Sequence, residues 1–83
     1  MYICAIYDKK AETYQPDAAF FVINKVHATR MFMDACKNDK SPMFKYPEDF
    51  RLDCLGFVDV KTGKITKVET IETLLEAKNV VSK

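Results

Sequence analysis

The chain has 83 residues, thirteen Lys/Arg against twelve Asp/Glu, and a composition 48% apolar, 12% aromatic and 30% charged. That is room for one small domain, and it excludes a disordered tail, a collagen-like repeat and a low-complexity linker. A formal charge of +1 does not by itself announce a nucleic-acid binder, and no apolar run is long enough to span a membrane.

Residues 2–7 are apolar and rich in strand formers, so they predict a first strand covered on both faces. Residues 11–17 are polar around Pro16 and read as a loop or an irregular hairpin arm. Residues 18–23 suit a short second strand or the approach to a helix. Asn24 is placed to cap that helix, expected over about residues 25–38. Ala28, Met31, Phe32, Ala35 and Cys36 recur on its one apolar stripe. Ser41-Pro42 and Tyr46-Pro47 argue against regular structure before residue 50, although Pro47 with Glu48 and Asp49 suits a short helical start.

A long hairpin is expected over about residues 50–70, turning at Lys61-Thr62-Gly63-Lys64. Simple alternation puts Leu52, Cys54, Gly56 and Val58 on one face, and Arg51, Asp53, Leu55 and Phe57 on the other. A short C-terminal helix over residues 71–78 would bury Ile71, Leu74 and Leu75. The fold class is therefore α+β, a small and mostly antiparallel sheet with helices on one face. A first strand apolar on both faces, in so small a core, points to a homodimer.

Chemistry-bearing patterns are few. Cys4, Cys36 and Cys54 are odd in number and widely spaced, as expected of buried thiols in a reducing compartment. With no C-x-x-C or Cys/His ligand spacing, these cysteines and His27, the only histidine, do not read as a structural zinc set, and His27 has no nucleophile at a fixed spacing. Gly56 and Gly63 are the only glycines, which leaves no phosphate-cradling loop. The expectation is no catalytic residue, no metal, no cofactor and no enzyme activity. The start of the chain has no secretory pattern, which suits a protein working inside a cell.

The charge is unevenly spread. Residues 48–60 hold Glu48, Asp49, Asp53 and Asp59 against Arg51, so the remainder carries a basic surplus. Lys9, Lys10 and Lys45 are interleaved with Tyr7, Tyr14, Phe44 and Tyr46, a pattern that lets cations meet phosphates while rings stack on bases. The alternative is that lysines solvate a small domain whose core the aromatics fill.

Whole segments then carry a resemblance. Ile6-Tyr7-Asp8-Lys9-Lys10-Ala11 is followed by Tyr14 and then by Ala28, Arg30 and Phe32. Next come Lys45-Tyr46-Pro47-Glu48-Asp49-Phe50 with Leu52, and Gly56-Phe57 with Asp59, Thr62 and Gly63. In this order they resemble the small nonstructural early protein of gokushoviruses, phages of Chlamydia and allied bacteria. The resemblance implies a DNA-binding protein of the host cytoplasm, absent from the virion, that assists the switch to single-stranded genome synthesis and packaging. It brings no catalytic residues.

The expected DNA-binding residues are Lys9, Lys10, Lys25, Arg30, Lys45 and Tyr46, with single-stranded DNA as partner and the acidic stretch avoided. The competing reading is a protein-interaction module acting on the replication initiator or a host replication factor without touching DNA.

Overall fold

A computed structural model describes residues 1–81. Four antiparallel strands, β1 (Tyr2–Asp8), β2 (Thr13–Val22), β3 (Phe50–Val58) and β4 (Ile65–Glu76), form one sheet in the order β2-β1-β3-β4. Helix α1 (Lys25–Lys37) lies across one face, and a single turn, α2 (Pro42–Lys45), leads into a 3-10 turn at Pro47–Asp49. A second 3-10 turn, Ala77–Asn79, follows β4. The molecule is elongated, 43 × 24 × 20 Å.

Local chemistry explains where α1 starts and what it buries. The Asn24 side chain accepts the His27 backbone N–H at 2.7 Å, closing one of the four orphan donors of the first turn. Ala28, Phe32 and Cys36, four residues apart, are buried against Cys4, Ile6, Val22, Leu52 and Cys54 of the sheet. Met31, expected on the same stripe, stays 43% exposed at its edge. Ser41 does double duty after α1: its hydroxyl accepts the Phe44 N–H and donates to the Ala35 carbonyl at 2.6 Å. Pro42 therefore opens a helical turn instead of preventing one.

Three features of the sheet depart from expectation. The hairpin arm is part of β2: Ala5 pairs with Ala19 and Tyr7 with Tyr14, so residues 15–18 bulge outward. Pro16, which has no N–H for the ladder, and Asp17, at φ 64°, both sit in that bulge. The expected C-terminal helix over residues 71–78 is absent; β4 runs to Glu76, leaving only the 3-10 turn. Leu74 and Leu75 favour helices, but Arg51, Leu52 and Asp53 offer ladder partners to residues 73–76, and pairing prevails.

The third departure is a one-residue slip in β3. Ile3 pairs with Gly56 but Cys4 pairs with Cys54, so Leu55 is inserted as a β-bulge. Beyond it every side chain changes face. Phe57 joins Tyr2 on the helix side, their rings edge to face at 5.5 Å. Gly56 and Val58 turn to the open face, where simple alternation had placed Leu55 and Phe57.

Candidate nucleic-acid interface

β1 ends at Asp8, whose Oδ1 accepts the N–H groups of Lys10 and Ala11 at 3.0 and 3.1 Å. This local turn points the chain away from the sheet at Lys10. The Lys9 N–H then donates to the Asp49 carbonyl at 2.7 Å, tying the β1–β2 loop to the 3-10 turn that precedes β3. Tyr46 sits at the junction of α2 and that turn and is 61% exposed. The outcome is a depression of about 670 Å³ lined by Lys10, Lys45, Tyr46, Pro47, Glu48, Asp49, Lys78 and Val81. A second, of about 480 Å³, adjoins it and shares Lys10, Tyr46 and Asp49. Three lysines thus surround an exposed ring, with two carboxylates among them.

The other expected residues lie elsewhere. Lys9 pairs with Glu76 of β4, and the Lys9 ammonium holds that carboxyl below the usual carboxylate range. Lys25 is at the opposite end of the sheet, where its Nζ donates to Glu72 at 2.6 Å and stands 5.3 Å from the centre of the Tyr2 ring. That hydrogen bond to the Glu72 carboxylate raises the lysine's pKa. Arg30 is exposed on α1 and lines neither depression. Among the described residues it makes no ion pair, with Asp34 or any other carboxylate. Glu48 and Asp49, expected to lie outside the basic surface, are inside it.

On the open face a polar cluster crosses the strands. Asp53 is completely buried, and its carboxylate accepts the Tyr14 hydroxyl at 2.7 Å and the Thr73 hydroxyl at 2.9 Å. Arg51 Nε donates to both carboxylate oxygens at 3.1 Å while its guanidinium lies 4.1 Å over the Tyr7 ring. Tyr7 and Tyr14 meet edge to face at 4.9 Å. Among the described residues no buried side-chain polar atom lacks a partner.

Comparison with known proteins decides the lineage. The family model described as phage ORF5 protein matches residues 1–80. The chain belongs to this family. It is 32% identical over 80 residues to protein ORF5 of Chlamydia phage 1, covering 93% of this chain and 83% of that one. No solved structure matches it. Membership bears out the gokushovirus resemblance and makes this a phage protein. In this ORF5-family chain the segments that carried the resemblance, Asp8-Lys9-Lys10-Ala11 and Lys45-Tyr46-Pro47-Glu48-Asp49, meet at the basic depression. No helix among the described residues is long and apolar enough to cross a membrane.

The Asp53 cluster went unread because Arg51 and Asp53 look like the wet face of a strand. The available signal was two opposite charges at i and i+2, which share a strand face and can pair there. Burial, reinforced by the bond to Asp53, pushes the Tyr14 hydroxyl up to about 12 from 10.0. Below pH 10 both folded and unfolded chains keep the phenolic proton. Between 10 and 12 only the folded chain keeps it, so this group's stabilisation is lost as pH rises. The urea midpoint of the parent should therefore exceed that of Tyr14→Phe at neutral pH and converge towards it above pH 10. A constant gap would show that Tyr14 titrates alike in both states. Cys4 and Cys36, raised by burial to about 11, add the same slope to both proteins and leave the comparison intact.

Proposed function

We propose that this phage protein is a non-enzymatic single-stranded DNA binder of the host cytoplasm, serving genome replication and packaging. The observation that carries the reading is Lys10, Lys45 and Lys78 gathered around the exposed Tyr46 ring. An unstacked base can lie on such a ring, a contact worth roughly 1–3 kcal/mol, while the ammonium groups take the flanking phosphates. A duplex keeps its bases stacked and gains only the charge contacts, so the single strand is preferred. Glu48 and Asp49 oppose phosphate approach, which limits affinity and steers the backbone towards the lysines.

The test is binding of a fluorescently labelled oligo-dT over a range of salt. Three phosphate contacts on a single strand predict a slope of log K against log salt of about −2. Lys45→Ala and Lys10→Ala should each flatten it by about 0.7, whereas Tyr46→Ala should weaken binding roughly 5- to 150-fold at an unchanged slope. A larger loss from Arg30→Ala than from Lys45→Ala would move the strand onto α1. Absence of binding at low salt would favour the interaction module acting on the replication initiator or a host factor.

A further inference from the structure

We propose that the apolar half of the open sheet face is the interface for a second copy of this chain, forming a two-fold dimer. The β3 bulge creates this surface. It turns Gly56 and Val58 to the open side, where the register aligns Phe21, Ile3 and Gly56 across three strands and sets Val58 against Ile65. Phe21 is 58% and Ile65 64% exposed, and Ile23, the residue that follows the end of β2 beside Phe21 and Asn24, is 80% exposed. At roughly 200 Å² for a large apolar side chain, these three leave on the order of 400 Å² of apolar surface in water.

The size fits a copy of itself. A standard interface takes about 800 Å² per partner, of which somewhat more than half is apolar. The patch approaches that apolar share before the half-buried Ile3 and Val58 are added. An isologous contact needs only one self-complementary patch, and two twisted sheets pack face to face readily. Lys67, paired with Gly56, stands at the rim and can stay in water. The other half of the face, with its satisfied Asp53 cluster, supplies no comparable apolar area. Among the described residues nothing covers the patch: Val81, the last of them, lies at the opposite end beside Lys10 and Tyr46. The basic ends of both copies therefore remain open.

Sedimentation equilibrium at tens of micromolar tests this without reference to DNA. The parent should sediment at twice 9.6 kDa, and its melting temperature should rise with protein concentration. Phe21→Glu and Ile65→Glu should each sediment at 9.6 kDa with an unchanged circular dichroism spectrum. Val26→Glu, an exposed apolar position on α1 away from this face, should stay dimeric. A 9.6 kDa parent with a concentration-independent melting temperature overturns the proposal. So does loss of the dimer in Val26→Glu alone, or a monomeric parent in which Ile65→Glu abolishes oligonucleotide binding.

Discussion

Asp53→Ala is expected to lower the unfolding free energy by roughly 3 kcal/mol, the low end for breaking a buried ion pair. Asp53 is wholly buried and is the common acceptor for Arg51, Tyr14 and Thr73. Without it the Arg51 guanidinium sits over Tyr7 with no counter-charge, and two hydroxyls lose their partner. The loss stays at the low end because the Arg51 side chain is 29% exposed and recovers some water. In a domain this small the melting temperature should fall by about 12–24 °C. Asp53→Asn keeps the shape and one acceptor oxygen, so it should fall between parent and Ala. Urea unfolding followed by circular dichroism measures both. A loss under about 1 kcal/mol for Asp53→Ala would mean that solvent already screens the cluster as it does a surface pair.

What was legible in the sequence was local. Asn24 caps α1 through its own side chain, and Ala28, Phe32 and Cys36 bury one stripe at helical spacing. The 59–64 turn closes through Asp59 and Thr62 side chains and Gly63, at φ 75°. Each of these needs only neighbours within a few residues. The last segment was misread because its decisive partners, Arg51 to Asp53, lie twenty or more residues away, and propensity carries no record of them.

That misreading propagated to the site. A helix over residues 71–78 would put Glu72 and Glu76 on turns of its own surface. As part of β4 they reach Lys25 and Lys9, two of the expected DNA-binding lysines, and pair with them. Lys10, Lys45 and Tyr46 were legible as a basic and aromatic set but not as neighbours. They meet because Asp8 pairs with Phe50, which brings the loop after β1 against the turn before β3. Register, not composition, chose which cations share a surface.

Register also rests on Gly56, and Gly56→Ala is expected to cost about 2–3 kcal/mol. Relief of backbone entropy in the unfolded chain would favour the alanine by roughly 0.4–1 kcal/mol. Contact decides the sign. A Cβ here would stand 2.7 Å from the Thr66 carbonyl oxygen and 3.4 Å from the Lys67 Cα. Both are backbone atoms of β4, which cannot rotate aside as a side chain would. Accommodating the methyl group requires β4 to shift from β3 where Gly56, Phe57 and Val58 pair with Lys67, Thr66 and Ile65. Overpacking of this kind typically costs 1–3 kcal/mol, and here ladder hydrogen bonds are strained as well. The alternative relaxation, slipping the strand to remove the Leu55 bulge, would carry Phe57 to the open face and break its contact with Tyr2. The urea midpoint should fall with little change in slope, since the surface exposed on unfolding is nearly the same. An alanine variant as stable as the parent would show that β4 yields freely at this point.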